Sequence, residues 1–344
     1  VITAGAATNW VFPAILSGSY YTNAYDDDGL VRDDWPAISD VLAEEGYSTA
    51  AFLGFNPYLG KWRDHFDHFW NGGIGDAGES WYSNPVQKWI SRGYRTAFLK
   101  KRVSAGETIN RALQWYEDQS RPRFLWVHLM EPHKPYYPGL SRGREVGLIQ
   151  AYQAILSLQQ NGDDTPQKHV QTQRDLYKQC VEKVDNDITS LVDAVDDDAA
   201  TVVMGDHGEE FDHGHYGHER LYDECVRTPL FAKNVFADIP ETVRQIDIAV
   251  ELLNHVGADP PNQWDGERIS TNRSAFMMTP RPSEDTFQCA LRTPAEKLIQ
   301  TYDRKNSSLI RNEYYDLESD PVETDNRYET EDVSKLETEL RDYM

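Results

Sequence analysis

Short apolar runs alternate with longer amphipathic stretches through most of the chain. Three runs rich in apolar, β-branched and aromatic residues predict buried strands: STAAFLGF at 48–55, FLWVHLM at 124–130 and TVVM at 201–204. The stretches 35–47 and 106–119 predict helices, the first with Pro36 in its opening turn. Helices between short, fully apolar strands predict an α/β fold with a mostly parallel sheet sandwiched between helices.

The centre of the chain holds the longest amphipathic stretch. From Leu176 to Val195, apolar residues recur every three or four positions, which predicts one face of a long helix. The preceding segment, residues 140–173, is polar and weakly patterned, and we expect it to be a long surface excursion.

The C-terminal part of the chain has a different pattern. From Phe287 onward, FQCALRT, KLIQTY and SLIRNEYYDL alternate apolar with polar residues, DRKNSS forms a turn between two of them, and EDVSKLETELRDYM is a charged helix. We therefore expect a small C-terminal antiparallel α+β subdomain at 281–344, after a catalytic α/β domain at 1–280.

Acidic residues dominate the charge of the chain. Its 344 residues include 57 Asp and Glu against 34 Lys and Arg, which gives a formal charge of −23. A negative field of this size repels polyanions, so we expect neither nucleic acid nor an anionic membrane as a partner. Such acidity is typical of proteins that stay soluble in molar salt, where the repulsion is screened, and it suggests a halophilic origin. An ordinary acidic enzyme is the alternative.

Cysteines and membrane signals are sparse. Cys180, Cys225 and Cys289 lie far apart and form no CxxC pair, so we expect buried thiols, not a disulfide framework or a metal site.

No apolar run approaches the roughly 20 residues of a membrane-spanning helix, and no signal peptide is visible. Because the sequence opens at Val1, inside a motif-like stretch, we expect an upstream segment to be missing. We expect a cytoplasmic location, and an export signal in that upstream segment is the alternative.

The residues after two of the predicted strands carry candidate chemistry. Asp206 and His207 follow TVVM after one glycine, and open α/β sheets bind ligands at the carboxyl ends of their strands. A carboxylate beside an imidazole suits a divalent ion such as manganese, calcium, magnesium or zinc, whereas a solvated loop is the alternative. After FLWVHLM, His133 stands in EPHKPYYP between two prolines that stiffen the loop. His128, inside the apolar run, is either a hydrogen-bonded core residue or a functional one.

These motifs resemble a known family. GDHGEEF followed by HYGHERLYDECVRTPLF resembles the carboxy-terminal metal motif of the sulfatases, within the alkaline phosphatase superfamily. FLWVHLMEPHKPYYP resembles the family's substrate-histidine loop, LYKQCVEKVDNDITSLV its long helix, and VRQIDIAVELLNHVG the segment after the metal loop. LRTPAEKLI and EYYDLESDPVETDN resemble its terminal subdomain. The resemblance covers almost the whole chain in the right order and implies the family's fold, but no particular substrate.

The resemblance assigns roles to four of these residues. Asp206 and His207 match the metal ligands of the family. His218 matches the residue that holds an oxygen of the transferred sulfuryl or phosphoryl group, and His133 matches the histidine on the leaving-group side. N–H donors at these two histidines would stabilise charge that builds on the transferred group and on the departing oxygen.

The nucleophile position departs from the usual family pattern. The sequence has no CxPxR motif, whose first residue becomes formylglycine; instead GAATNWVFPAILSG resembles a haloarchaeal-type variant with Thr8 at the nucleophile position. A metal-bound threonine hydroxyl can be deprotonated near neutral pH and can attack sulfur or phosphorus, although Thr8 cannot become formylglycine. The alternative is that Thr8 only caps the following helix.

Other family positions also differ. LGFNPYLG replaces the GKWHLG loop, which places Asn56 near the histidine of that loop and makes it a candidate for substrate binding. The first strand of the family, which ends in an acidic pair that completes the metal site, is absent from the sequence, so we expect half a metal site. His213 and His215 lie in a stretch one residue shorter than usual, and we expect surface or supporting groups there.

The leading hypothesis is metal-dependent hydrolysis of a sulfate ester through a covalent intermediate on Thr8. Calcium or manganese is the first choice of ion, with magnesium and zinc as alternatives, and the expected substrate is a small-molecule or glycan sulfate or phosphate ester. Two other functions stay open: a phosphodiesterase or phosphoglycerol-transferase-like enzyme that uses Thr8, and a catalytically silent relative that binds an anionic glycan or a metal. The sequence leaves the alcohol half of the substrate and the oligomeric state open.

Overall fold

The computed structural model describes residues 1–73, 101–139, 145–236, 239–269 and 273–344. Backbone packing divides the chain into two compact units: a first unit of Val1–Ile38 with Ala200–Met344, and a second unit of Ser39–Ala199. In sequence, the second unit is therefore inserted between the two parts of the first.

Both units combine helices and strands. In chain order, the described α-helices are α1 Thr8–Ser17, α2 Tyr21–Ala24, α3 Ile38–Glu44, α4 Ala105–Asp118, α5 Leu148–Asn161, α6 Gln167–Ala194, α7 Asp223–Val226, α8 Ile248–Val256 and α9 Ser334–Asp342. The described strands are β1 Ser48–Leu53, β2 His68–Asn71, β3 Arg123–His128, β4 Thr201–Met204, β5 Leu230–Lys233, β6 Ala275–Arg281, β7 Thr286–Arg292, β8 Glu296–Asp303 and β9 Leu309–Asp316. Short 3₁₀ segments occupy Pro57–His65, Gly162–Asp164 and Gln245–Asp247.

A three-stranded parallel sheet lies in the second unit. β1 is the central strand between β2 and β3, and its Ala51 lies opposite Phe69 on one side and Trp126 on the other. Every residue of β1 after the first is buried, which is what a parallel strand covered on both faces requires. The two strands predicted in this part of the sequence, and their place in a parallel sheet, are confirmed.

Amphipathic helices accompany this sheet. α4 begins after Ser104, whose Oγ accepts a hydrogen bond from the Glu107 N–H at 3.2 Å, and its Ala112 packs in one apolar cluster with Ala50 and Phe52 of β1. α6 runs for 28 residues and buries Leu176, Cys180 and Val184 of the apolar positions that predicted it, while Val195 follows the helix as its C-cap. Both predicted helices are therefore confirmed, and α6 starts nearer the N-terminus than its apolar spacing indicated.

Two details of the second unit differ from the expectations. α3 begins at Ile38, so Pro36 precedes the helix and does not lie in its opening turn. The segment 140–173, expected to be a surface excursion, contains α5 and the first turns of α6, while residues 140–144 lie outside the described part of the chain. The buried face of α5 includes the small residues Ala151 and Ala154, so its apolar pattern in the sequence is too weak to predict a helix.

Two antiparallel sheets lie in the first unit. The predicted strand TVVM forms β4, and its described partner β5 is antiparallel to it, with Val202 opposite Ala232. The second sheet has four strands in the order β6, β7, β8, β9. Leu291 and Leu298 on one face pack against α9, the predicted terminal helix, and the opposite face packs against α7 and the N-terminal residues.

The sequence pattern did not predict the described strands β2 and β5, nor did it predict β6, the first strand of the four-stranded sheet. Pro280 interrupts its apolar run, and proline is tolerated because β6 lies at the edge of the sheet. The antiparallel sheet therefore begins at Ala275, and the boundary predicted between 280 and 281 falls inside this strand. The division into domains at that point stays a prediction.

The predictions for cysteines and membrane segments can be compared with the described residues. Cys180, Cys225 and Cys289 are buried and free, which confirms the prediction of buried thiols. Burial raises the pKa of Cys180 and of Cys289 to about 12, so both thiols stay protonated at neutral pH. Within the described ranges, no helix combines the length and the apolar character that crossing a membrane requires.

Candidate active site

The loop after β4 carries the first two candidate residues, Asp206 and His207. This loop packs closely against α7, because the N–H of Gly208 donates to the carbonyl of Cys225 at 2.6 Å. A Cβ atom at position 208 would lie 2.1 Å from the backbone oxygen of Glu224. Only glycine therefore allows this approach, and the approach fixes where the preceding carboxylate and imidazole lie.

Thr8 belongs to the N-terminal part of the first unit, and its side chain contacts both of these residues. Its Oγ1 lies 3.1 Å from Oδ2 of Asp206, to which it donates, and 3.1 Å from Nε2 of His207. The N-cap of α1 is Ala7, and no side chain caps this helix end. Thr8 is thus the first residue of α1, and its hydroxyl faces the Asp-His pair and not the free N–H groups of the helix. The helix-cap interpretation is therefore wrong.

The hydrogen bonds of His207 define its tautomer. Nδ1 lies 2.9 Å from the carbonyl oxygen of Gly208, which can only accept, so Nδ1 carries the proton. The lone pair of Nε2 is then free to face Thr8 Oγ1 and Asp206 Oδ2, which lie 3.1 Å and 3.6 Å away. A carboxylate oxygen, an imidazole lone pair and a hydroxyl oxygen converge here. This donor set fits a divalent cation, and the Gly208 carbonyl supplies the outer hydrogen bond that metal-bound histidines commonly make.

Gln245 supports this arrangement and was not predicted from the sequence. Its side chain is fully buried; Nε2 donates to the backbone oxygen of Asp206 at 2.9 Å, and Oε1 accepts from the N–H of Ala4 at 3.1 Å. It therefore connects the segment before Thr8 to the loop after β4. A single glutamine in VRQIDI gives no signal of such a role, because both partners are distant in sequence.

His218 completes the group in the first unit. Its ring centroid lies 4.5 Å from that of His207, and its Nδ1 lies 3.2 Å from Oε1 of the buried Glu209. A carboxylate at this nitrogen favours a proton on Nδ1 and orients the ring. The fold thus brings together four of the predicted residues, namely Thr8, Asp206, His207 and His218. Glu209 lies within the motif GDHGEEF, but no role was predicted for it.

His133 lies in the second unit, in the loop after β3. Its Nδ1 lies 2.5 Å from the carbonyl oxygen of Lys134, so this nitrogen carries the proton. The Nζ of Lys101 donates to the carbonyl oxygens of His133 and of Pro135, the latter at 3.0 Å. The loop is therefore held by a buttressing lysine, and the role of His133 toward substrate stays a prediction.

Asn56, the remaining candidate, also lies in the second unit. Its side chain is buried and caps the 3₁₀ segment by accepting from the Tyr58 N–H at 3.1 Å, while its backbone bonds twice to the side chain of Asn71. These contacts account for Asn56 through local structure. Its predicted role in substrate binding stays a prediction.

A second group of possible ligands lies next to the loop. Atoms of Glu210, His213 and Glu224 lie within 4.8 Å of one another. Glu210 forms an ion pair with Arg220, and Glu224 accepts hydrogen bonds from two backbone N–H groups of the loop. His213 is mostly buried, so of the two expectations for it, a supporting group fits better than a surface group.

Comparison with known proteins identifies the chain. The Sulfatase family model matches residues 1–258. This chain belongs to the sulfatase family. The resemblance seen in the sequence is confirmed, and the chain is a hydrolase of the sulfuric ester hydrolase-like class, in a family that depends on metal in general.

Three solved structures illustrate what this sulfatase-family chain is similar to. BT4656, solved with its substrate D-glucosamine-2-N,6-O-disulfate, is 16% identical with a TM-score of 0.71 over 99% of this chain and 88% of that one. The yidJ protein of Bacteroides fragilis, described as a sulfatase, is 14% identical with a TM-score of 0.73 over 100% and 86%. The phosphonate monoester hydrolase of Agrobacterium radiobacter is 16% identical with a TM-score of 0.68 over 99% and 86%. No curated protein sequence matches the chain.

These structures are too distant in sequence to show more than the fold. They confirm the predicted fold class, an alkaline phosphatase-like α/β arrangement with parallel strands, helices and a C-terminal antiparallel sheet. The residues that act on substrate have to be argued from the geometry of this chain.

Proposed function

We propose that this hydrolase cleaves a sulfate ester by attack of Thr8 Oγ1 on sulfur, with a divalent cation held by Asp206 and His207. The observation that carries the proposal is the position of Thr8 Oγ1, 3.1 Å from both Asp206 Oδ2 and His207 Nε2. Both acceptors, a carboxylate oxygen and an imidazole nitrogen, are also atoms that can bind a divalent cation.

The residues around Thr8 provide an acceptor for its hydroxyl proton. Thr8 has one hydroxyl proton and two acceptors, so the proton can leave toward Asp206 while the oxygen stays in place. The first turn of α1 adds the partial positive charge of a helix N-terminus beside the oxygen. A bound divalent cation would supply a further lowering of the hydroxyl pKa. Calcium or manganese is the proposed ion, with magnesium and zinc as alternatives.

The proposed reaction has two balanced steps. In the first, the bond from Thr8 Oγ1 to sulfur forms, the bond from sulfur to the ester oxygen breaks, and the alcohol leaves with a proton. In the second, the oxygen of a water molecule bonds to the same sulfur, the bond from sulfur to Thr8 Oγ1 breaks, Thr8 takes one proton of that water, and hydrogen sulfate leaves. His218 is assigned to an oxygen of the transferred group, where an N–H donor stabilises the charge that develops.

A phosphoester is the second candidate substrate, and the identity of residue 8 favours it. Formylglycine releases sulfate by collapse of its own hydrated aldehyde, a route that Thr8 lacks. An intermediate on an unoxidised hydroxyl has to be opened by water at the transferred atom, and this route serves phosphorus as well as sulfur. Phosphodiester hydrolysis or phosphoglycerol transfer therefore stays the alternative activity.

The test is turnover of chromogenic aryl sulfate, phosphate monoester, phosphodiester and phosphonate monoester, with calcium or manganese and after exhaustive chelation. We expect Thr8→Ala to lower kcat by about a thousandfold or more, and Thr8→Ser to keep part of the activity because the hydroxyl remains. Thr22→Ala, on the exposed side of α2, is the matched control and should be unaffected. Activity of Thr8→Ala within a few-fold of wild type would refute the nucleophile, and no turnover of any substrate would favour the silent binding protein.

A further inference from the structure

His213 lies in the middle of the segment that joins the Asp206-His207 pair to His218. Its imidazole is held between two oxygen atoms from different parts of the first unit. Nδ1 lies 2.5 Å from Oε1 of Glu224 on α7, and Nε2 lies 2.8 Å from the backbone oxygen of Val322 in the turn after β9. Both ring nitrogens therefore face an acceptor.

The number of protons on this ring follows from its partners. The carbonyl of Val322 can only accept, so Nε2 carries a proton. Both carboxyl oxygens of Glu224 also accept from backbone N–H groups, from Phe211 at 3.0 Å and from Asp212 at 3.2 Å, so Glu224 is the acceptor in its contact with Nδ1 too. Nδ1 therefore carries a proton as well, and the ring is an imidazolium.

The surroundings of the ring suit a cation. It stacks on Tyr222 with centroids 4.0 Å apart and planes 5° apart. Glu210 is the second carboxylate near it, and Arg220, which pairs with Glu210, donates to the carbonyl oxygen of His213 at 2.7 Å. Burial acts to lower the pKa of His213, but the hydrogen bond and charge of Glu224 outweigh it and raise that pKa above its ordinary value.

The remaining charged groups nearby are engaged elsewhere. In the turn that holds Val322, the neighbouring Glu323 is bound by Lys297 at 2.8 Å. The hydroxyl of Tyr222 donates to Glu313 at 2.7 Å. With both nitrogens protonated, the ring has no lone pair to offer to a cation.

We propose that His213 is a proton-dependent positioning residue: as an imidazolium it ties the loop that carries His218 to α7 and to the turn at Val322. The effect on catalysis rests on the proposed function, because His218 is assigned there to the transferred group. A neutral ring has one N–H, so one lone pair would face an oxygen 2.5 Å or 2.8 Å away and that tie would be lost. The fold raises the pKa of His213. Both hydrogen bonds of the ring are therefore present below the ordinary histidine pKa, and one of them is lost as the pH rises through the pKa of His213 in the folded protein.

The proton count can be measured on the whole wild-type chain labelled with ¹⁵N-histidine. We expect ring-nitrogen chemical shifts of a doubly protonated His213 at pH 7.5, assigned by their loss in His213→Gln. His255→Gln, at an exposed position of α8, is the matched control for this assignment and should leave the signals of His213 in place. A His213 that carries one ring proton at pH 7.5 would overturn the proposal, as would loss of a ring proton from His213 on addition of zinc, a diamagnetic ion, alone.

The positioning role has its own readouts. Amide hydrogen exchange at 209–218 should rise at least tenfold beyond the intrinsic pH effect as His213 loses its proton, and His213→Gln should show the fast exchange at every pH. With an active substrate, His213→Gln should lower kcat and abolish the alkaline fall that wild type and the control His255→Gln retain. An alkaline limb unchanged in His213→Gln would refute the role. If no substrate is turned over, the proposed function fails. The ring-nitrogen chemical shifts of His213 and the amide hydrogen exchange at 209–218 still test whether His213 holds the loop.

Discussion

Replacing Lys297 by Met should strongly destabilise the protein. Lys297 Nζ is fully buried, 2.9 Å from Asp223 Oδ1 and 2.8 Å from Glu323 Oε1, and Arg292 binds Asp223 through two nitrogens. Two cations and two carboxylates thus share one buried cluster. Burial acts to raise the pKa of Asp223, but Lys297 and Arg292 outweigh it and hold that pKa well below its usual range.

The size of the effect follows from what Met leaves behind. Its volume is close to that of Lys, so little cavity forms, but Glu323 loses its cation and Asp223 keeps only Arg292. Breaking a buried ion pair from one side costs about 3–5 kcal/mol, against a total free energy of unfolding of about 5–15 kcal/mol. At about 2–4 °C per kcal/mol, the Tm should fall by roughly 6–20 °C.

The assay is urea unfolding at pH 7, with calorimetry for the Tm. Lys305→Met is the matched control: Lys305 pairs with Asp285 at 2.8 Å, but the two side chains are 80% and 52% exposed, so no measurable change is expected. Lys297→Met combined with Glu323→Gln should recover part of the loss, because the stranded charge is removed. An unfolding midpoint of Lys297→Met equal to that of the control would refute the argument that paired charge stabilises this cluster.

Two further predictions follow from the site and from the charge. Asp206→Ala should abolish metal-dependent turnover and weaken manganese binding in calorimetric titration, while the Tm stays close to that of wild type because the side chain is only partly buried; unchanged turnover after exhaustive chelation would contradict the metal assignment. Raising potassium chloride from low to molar concentration should raise the Tm, because screening relieves the repulsion of a formal charge of −23; a Tm that does not respond would argue against the halophilic hypothesis.

Local patterns were sufficient to predict most of the elements. β1, β3, β4 and the strands of the C-terminal sheet after β6 have continuous or alternating apolar positions, and α4 and α6 have clear helical spacing. β6 escaped prediction because Pro280 is acceptable only at a sheet edge, and edge position is a tertiary property. α5 escaped because its alanines become an apolar face only when α6 packs on them.

The site was predictable where family motifs supply the residues. Thr8 and Asp206 are 198 positions apart, and only the resemblance linked them before the fold placed their side chains 3.1 Å apart. The supporting residues carry no such signal. His213 meets Val322 across 109 positions, and its double protonation depends on a backbone carbonyl that no motif encodes. Supporting hydrogen bonds of this kind are set by packing, so the sequence alone could not predict them.

The C-terminal sheet contributes to the site although it carries none of the predicted ligands. α7 lies between the sheet and the loop after β4: its Asp223 is bound by Arg292 and Lys297 of the sheet, and its Glu224 accepts hydrogen bonds from that loop. The Val322 carbonyl, in the turn after the last strand, reaches the same loop through His213. Because one short helix carries both sets of contacts, a change that loosens the buried cluster should also move the loop. The sheet therefore acts as the support against which the loop that bears His218 is positioned.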